Sequence, residues 1–330
     1  MNKRDSNIVN NPKVAIVILN WNGFKDTIDC LSSLSNSNYQ NFEIILVDNA
    51  STDGSVGKIK KWLTDTLYKK IQIIECPLNY GFAKGNNIGI QAAINNKTDY
   101  ILLLNNDTVV TPNFMSELIT FFNNNINYSV ATPQIRYFNK QEIIWNCGGK
   151  LSNYGTRKYF FDDKHYTELP DKNFVKISFI TGCSIIMRTS VIEKIGKLTE
   201  NFFFGEEDFE FSMRLKKNKI NAACVLNSLI YHKVNSSISK TSELIIGKIF
   251  INYLSRFINM KSFMPSWKWQ LWRHSYILYI VYLLKFRYKF SFKTIRIFLS
   301  CLLSDSLKLN GVDKAIFDKY INFDFSSKPV

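Results

Sequence analysis

Four times in its first 104 residues the chain runs through a β-rich apolar segment, breaks off at a polar turn and passes into a stretch of helical composition. The segments are residues 14–19, 42–47, 71–75 and 100–104. Helical stretches follow near 27–34, 54–63 and 84–94, and after Pro112, a residue tolerated at a helix start. A run such as Val-Ala-Ile-Val-Ile-Leu (14–19) lacks the alternation of a half-exposed strand, so it predicts a strand covered on both faces. Strand and helix in alternation restrict the chain to an α/β fold, a mostly parallel central sheet flanked by helices. Ligands of such sheets gather beyond the carboxyl ends of the strands. Asn20, Asp48 and the turn Asn105-Asn106-Asp107-Thr108 stand there, and a carboxylate delivered to an open strand end is a place to hold a metal ion.

The pattern loosens after a strand-like segment at 129–133. Residues 135–172 are rich in Tyr, Phe, Asn and Asp without a clear period and are expected to form part of a pocket wall. Regularity returns at 175–187, where Thr181-Gly182-Cys183 interrupts a strand, then in a short helix near 190–195 and a helix at 207–217 with an acidic first and a basic last turn. From residue 241 the chain is helical in character, broken at Pro265. Three regions are expected: a flexible N-terminus (1–12), a catalytic α/β domain (13–240) and a basic aromatic helical C-terminal region (241–330).

With 330 residues, 46% of them hydrophobic, the chain can bury a full core. Its six cysteines form no Cys-x-x-Cys pair and several lie in apolar runs, which predicts small reduced core residues in a reducing compartment. The first thirteen residues carry no apolar core of a secretion signal, so a cytoplasmic protein is expected. Residues 240–330 hold 15 Lys and Arg against 5 Asp and Glu, whereas the first 239 hold 27 against 22. The basic excess thus belongs to the tail. Its string Trp267-Lys268-Trp269-Gln270-Leu271-Trp272-Arg273 suits either a helix lying at the inner face of a membrane or a lid packed on the main domain. No nucleic-acid recognition motif accompanies it, so nucleic acid is not expected as a partner. The apolar stretch 276–284 is nine residues, against the ~20 that a spanning helix needs.

Chemistry-bearing residues recur along the same strand ends. Asp48 can accept a base or ribose hydrogen bond, while Asp53 reads as a cap for the helix that follows. Asn79 to Asn87 opens a helix with two glycines and Lys84, a place for backbone N–H groups and a cation to face a nucleotide. Neither Gly-x-Gly-x-x-Gly nor a Walker loop occurs, which removes the dehydrogenase and P-loop classes. A second carboxylate set, Phe204-Gly205-Glu206-Glu207-Asp208-Phe209-Glu210, and the solitary His232 complete the candidates.

The order of these segments resembles the family 2 glycosyltransferases of the GT-A fold, and within them the rhamnosyltransferase-like subgroup. The resemblance rests on residues 19–22, 47–55, 79–87 and 102–108, on Glu207-Asp208-x-Glu210 with Arg214, and on Tyr231-His232, and it covers roughly residues 13–235. It implies an inverting transferase that moves a sugar from a nucleoside diphosphate sugar, dTDP-rhamnose or a UDP-hexose, to a saccharide or lipid-linked acceptor in surface polysaccharide synthesis. By the same resemblance Asp208 is the catalytic base, and Asp107 with His232 holds Mn²⁺ or Mg²⁺. Asn20, Asp48, Asn79, Lys84 and Asn106 would contact the donor; Glu207, Glu210 and Gly182 would contact the acceptor. Glu206 is expected only to satisfy the helix N-terminus, and Glu210 either to touch the acceptor or to pair with Arg214 at the i to i+4 spacing. Two other readings fit similar carboxylates: a sugar nucleotidyltransferase, and a non-catalytic sugar-binding member of the same fold.

Overall fold

A computed structural model describes residues 11–66, 71–234 and 242–326. Most of the expected flexible N-terminus and the boundary placed near 240 lie outside the described residues. The elements run β1 (Val14–Asn20), α1 (Phe24–Ser35), β2 (Phe42–Asp48), α2 (Ser55–Thr66), β3 (Ile71–Glu75), α3 (Gly81–Asn95), β4 (Tyr100–Asn105), β5 (Thr108–Val110) and α4 (Phe114–Asn124). There follow β6 (Tyr128–Tyr137), β7 (Lys140–Asn146), β8 (Gly149–Leu151), β9 (Arg157–Tyr159), β10 (Phe174–Ile177), β11 (Ser184–Arg188), α5 (Thr189–Ile195), α6 (Glu207–Lys217) and β12 (Asn221–His232). The tail forms α7 (Ser242–Phe263), α8 (Ser266–Tyr282), α9 (Phe292–Lys308) and α10 (Lys314–Ile321), with a π-helical turn at Leu283–Arg287.

The main sheet has the order β10-β12-β6-β11-β4-β1-β2-β3. Its β4-β1-β2-β3 half is parallel throughout. The other half is mixed: β11 runs antiparallel to both β4 and β6, and β10 antiparallel to β12, while β12 and β6 are parallel. The chain leaves β1 toward β2 and β3 and returns through α3 to β4 on the other side, so a crevice opens beyond the carboxyl ends of β1 and β4. Register carries Asn20 beside Asp48 and Leu19 beside Asn105.

Side chains of β1 alternate between two cores. Val14, Ile16 and Ile18 pack with Leu31 of α1 and Phe114 of α4, whereas Ala15 and Val17 pack with Ala83 and Ile90 of α3. The α3 helix lies close on the sheet because Gly85 and Gly89 present no side chain to it. A Cβ on Gly89 would fall 2.3 Å from Val17 Cγ1, and one on Gly85 2.5 Å from Leu19 Cδ1. All six cysteines are free and five are buried, as expected of small core residues.

Residues 135–172 differ from their sequence-based reading. Where no clear period was legible, they contain the end of β6, the strands β7, β8 and β9, and a 3₁₀ turn at Tyr166–Glu168. The period was hidden because the β6–β7 register shifts at Ile135/Arg136 and again at Arg136/Tyr137, and each bulge breaks a two-residue alternation.

The tail shares a core with the α/β domain. Leu151, Phe179, Phe202 and Phe209 join Phe250, Phe257, Trp269, Trp272 and Phe298 in one buried cluster. Backbone bonds from Phe203 N to Val312 O and from Val312 N to Asn201 O, both 2.7 Å, stitch the last loop to the segment before α6. Trp269 and Trp272 face inward, their indole N–H groups donating to Phe257 O and Tyr154 O at 2.8 Å. Among the described residues no helix is long and apolar enough to cross a membrane.

The α3–β1 contact leaves no room for a methyl group. Gly89→Ala is expected to lower stability by about 1–3 kcal/mol, with Val17→Ala in the same chain restoring part of the loss, as read from urea midpoints.

Candidate active site

The floor of the crevice is a buried polar network that the β1–β2 register creates. Asn20 Nδ2 donates to Asp48 Oδ1 at 2.7 Å and to Ser51 Oγ at 3.1 Å, and Asn20 Oδ1 accepts from Thr27 Oγ1 at 2.8 Å. Asp48 also accepts from the N–H and hydroxyl of Ser51, at 2.9 and 2.6 Å. Asn106 Nδ2 reaches the same network through Thr27 Oγ1 at 3.0 Å. Three of the expected donor contacts, Asn20, Asp48 and Asn106, are therefore brought together, with Trp21 half exposed beside them. Asp53 stands just before Gly54 and the start of α2 at Ser55 and accepts from Ser55 N at 2.9 Å, closing the turn into the helix.

Next to this floor, a three-residue strand sets the metal candidates. β5 begins directly after Asp107 and pairs antiparallel with β12, putting Thr108 opposite His232, and Lys233 N donates to Asp107 O at 3.0 Å. Asp107 Oδ1 and His232 Nε2 thereby stand 3.1 Å apart. His232 Nδ1 is buried without a hydrogen-bond partner, and Asp107 Oδ1 is buried with the His232 ring beside it. Burial works against charge on the imidazole, but the Cys183 sulfur and the Asp107 carboxylate outweigh it and push His232 up to about 10. An imidazolium has no lone pair for a cation, so His232 would bind one only as the neutral ring, giving up the proton it shares with Asp107; in that state a carboxylate and an imidazole fit Mn²⁺ or Mg²⁺. Among the described residues no group of three or more His, Cys, Asp or Glu is arranged to hold a metal ion, so a cation here would draw its other ligands from substrate oxygens and water.

Thr181-Gly182-Cys183, between β10 and β11, links this corner to the second carboxylate set. Cys183 O accepts from Asn105 N at 2.9 Å, and Gly182 N donates to Asp208 Oδ2 at 3.2 Å. Gly182 also lies beside Glu207, whose Oε1 would be 3.7 Å from a Cβ there. Asp208 and Glu207 thus project from the first turn of α6 onto Gly182, and Glu207 Oε2 is buried and unpartnered. Burial, then the Asp208 charge, push the Glu207 carboxyl up to about 8. Burial raises Asp208 as well, opposed first by Arg157, whose Nη1 lies 3.8 Å from Asp208 Oδ1. Two carboxyls this close do not both ionise readily, and Arg157 favours placing the single charge on Asp208.

Glu206 corrects its sequence-based reading. It does not merely satisfy the helix N-terminus: in a left-handed conformation (φ 69°) it turns its carboxylate to Arg256 of α7, whose Nη2 and Nε both donate to it, the former at 2.7 Å. Arg157 adds a contact at 3.6 Å, and Asn259 Nδ2 donates to Glu206 O at 3.1 Å. Burial alone would raise this carboxyl, but the two arginines hold it below its ordinary range.

Of the remaining candidates, Glu210 is committed to Arg214, accepting from Nε at 2.8 and 2.9 Å, while Arg214 Nη2 also donates to Lys197 O at 2.7 Å. The expected i to i+4 pair is thus formed. Asn79 organises the loop before α3, its Oδ1 accepting from Asn49 Nδ2 and Gly81 N, each at 2.9 Å. Lys84 is exposed, with its ammonium 4.4 Å from the Tyr80 ring centroid. Sequence reasoning missed Asn49, Arg157 and Arg256. Asn49 sat unremarked within the 47–55 motif, and the two arginines lie in segments with no local signal of chemistry.

Removing Arg256 would leave Glu206 as a buried charge with only Arg157 nearby. Arg256→Ala is expected to cost about 3–5 kcal/mol at neutral pH, and Glu206→Gln in the same chain to recover part of it. Because the Glu206 carboxyl is held low, its contribution is full above the ordinary carboxyl range and is lost as pH falls through the lowered value. Denaturant titrations of both variants at neutral and acidic pH check this; an Arg256→Ala protein as stable as the parent contradicts it.

Residues 15–196 match the family model described as glycosyl transferase family 2. The low-salt glycan biosynthesis hexosyltransferase Agl10 of Haloferax volcanii is 26% identical over 253 residues, which cover 76% of this chain and 76% of that protein. The dTDP-rhamnosyl transferase RfbF of Shigella flexneri is 26% identical over 206 residues, 62% of this chain and 63% of its own. Among solved structures, the mannosyltransferase PcManGT from Pyrobaculum calidifontis in complex with GDP-Man and Mn²⁺ superposes with a TM-score of 0.56 at 10% identity, covering 91% of this chain and 88% of its own. GalNAc-T7 with UDP, GalNAc and Mn²⁺ gives 0.59 at 17% identity; this chain is covered over 84% but spans only 58% of that one. At these identities the likeness speaks for the fold, a GT-A arrangement of mixed sheet and flanking helices. The family match extends from β1 through α5, more than half of the chain, and the protein belongs to glycosyl transferase family 2.

Proposed function

We propose that this glycosyltransferase is a metal-dependent, inverting enzyme that transfers a sugar from a nucleoside diphosphate sugar to a saccharide acceptor, lipid-linked and presented at the inner face of a membrane. The observation that carries the reading is the Thr181-Gly182-Cys183 segment, which hydrogen-bonds Asp208 on one side and the strand end bearing Asp107 on the other. It sets a candidate base and a candidate diphosphate corner on one short stretch of backbone. The donor would lie on the floor built by Asn20, Asp48 and Asn106. Asp107 and His232 would hold Mn²⁺ or Mg²⁺, which when bound neutralises charge gathering on the departing diphosphate.

In this mechanism Asp208 takes the proton of the acceptor hydroxyl while that oxygen forms its bond to the anomeric carbon. The bond from that carbon to the diphosphate oxygen breaks on the opposite face, its electron pair leaving with the diphosphate, so configuration inverts. Glu207, holding a proton at neutral pH, offers a hydrogen bond beside the base. The names of relatives favour dTDP-rhamnose or a hexose donor and a role in glycan synthesis. Family membership leaves no support for the nucleotidyltransferase alternative, and hydrolysis of donor without acceptor would set aside a non-catalytic sugar binder.

A panel of nucleotide sugars screened for Mn²⁺-dependent thermal stabilisation identifies the donor. With that donor, Asp208→Asn is expected to lower transfer about 10²–10⁴-fold while sparing Mn²⁺-dependent donor binding, and Asp107→Ala to abolish that binding. An Asp208→Asn enzyme with normal turnover would sink the base assignment.

The Arg157 charge gives a separate pH test. Arg157 opposes the rise of the Asp208 pKa, and the base must be unprotonated to act, so activity falls as pH drops through that value. Arg157→Gln should move the acid limb of kcat/KM to higher pH; a limb that stays or moves lower contradicts the assignment.

A further inference from the structure

The fold splits the basic aromatic string of the tail. Trp269 and Trp272 turn inward, but Trp267 and Leu271 point to solvent, 64% and 66% exposed. The outward row continues through Leu278 (73%), Tyr282 (59%) and Phe286 (69%). Successive spacings of four, seven, four and four residues keep these side chains on one face of α8 and the π-helical turn that prolongs it, a helix about 30 Å long. Phe292 (71%) extends the patch, bridged to it by Lys285, whose ammonium lies 4.0 Å from its ring centroid. Single exposed apolar residues need no explanation, but five on one helix face, interrupted only by His274 and Ser275, mark a docking surface.

The charges around the row identify what docks. Lys268, Arg287, Lys289, Lys293 and Arg296 are exposed in the same stretch of chain, Lys268 with its ammonium over the Trp267 ring. Between Glu243 and Asp305 the chain has no acidic residue and ten Lys or Arg. A second copy would bring like charges face to face. An anionic bilayer matches both features, rings and leucines entering the headgroup region while cations meet lipid phosphates.

We infer that the outward face of α8, prolonged to Phe292, lies in the surface of an anionic bilayer and fixes the height of the catalytic base above it. The link to the base is α7, which packs on α8 and holds Glu206, two residues from Asp208, through Arg256 and Asn259. The inference rests on the proposed lipid-linked acceptor only for its purpose; the docking face stands on exposure and charge.

The test is co-sedimentation of the full chain with phosphatidylcholine vesicles, with and without phosphatidylglycerol. The parent protein should partition to the phosphatidylglycerol vesicles and be released by salt. Trp267→Ser, Leu271→Ser, Leu278→Ser and Phe286→Ser combined should lower the partition coefficient about a hundredfold or more. Lys289→Gln, Lys293→Gln and Arg296→Gln combined should remove the preference for phosphatidylglycerol. All these side chains are exposed, so the melting temperature and donor hydrolysis should be unchanged. Equal sedimentation of parent and serine variant, or no binding of the parent to phosphatidylglycerol vesicles, overturns the inference, as does a dimer that the serine substitutions dissociate. Donor hydrolysis in the same samples separates the two readings: a parent that hydrolyses donor but ignores vesicles loses the docking face and keeps the chemistry.

Discussion

The hydrogen-bond ladder through β1, with β2 on one side and β4 on the other, is the constraint on which the rest of the molecule depends. It fixes the crevice where the strand order reverses, and its register delivers Asn20, Asp48 and Asn105 to one edge. It also requires α3 to lie close on β1, which Gly85 and Gly89 permit. A register slip of one residue would turn the alternating β1 side chains into the wrong core and carry Asn20 away from Asp48.

Charge at the site is arranged in two corners of opposite character. At the Asp107–His232 corner, a buried carboxylate and ring pair with each other while the far ring nitrogen, His232 Nδ1, stands without a partner, a costly state. At the α6 corner, three consecutive carboxyls share two arginines from distant segments: Arg256 is fully engaged with Glu206, while Arg157 stands between Glu206 and Asp208. That division leaves Asp208 as the less firmly held carboxylate, suited to exchange a proton. The tail is therefore part of the site's electrostatics, because removing α7 would uncover Glu206 beside Asp208, the proposed base.

Much of the fold was legible because its signals are local. Apolar runs bounded by polar turns marked the parallel half, and the acidic first and basic last turns marked α6 to the residue. The bulged strands of 135–172 were not legible, since register shifts erase the alternation by which a strand is recognised. In the site, Asp107 stood out as a carboxylate at a strand end, whereas Asp208, one of a cluster of carboxylates, and His232 took their expected roles from the family resemblance. Glu206 was misread and Arg157 passed over, because what gives each its character is a partner far away in sequence, 50 residues for Glu206 with Arg256 and 49 for Arg157 with Glu206.

The sequence by itself determined which segments become strands and helices, where carboxylates meet strand ends, and that the tail is basic and aromatic, because periodicity and strand-end position are properties of neighbouring residues. Tertiary structure decided the pairings: Asp107 with His232 across 125 residues through the β5–β12 ladder, Asp208 with the Gly182 amide, and Glu206 with Arg256. It also decided which aromatic residues of α8 are core and which are surface. Trp269 and Trp272 read like Trp267 in a string of letters, and only the packing of α7 and the loop at Tyr154, which supply their hydrogen-bond acceptors, draws them inside.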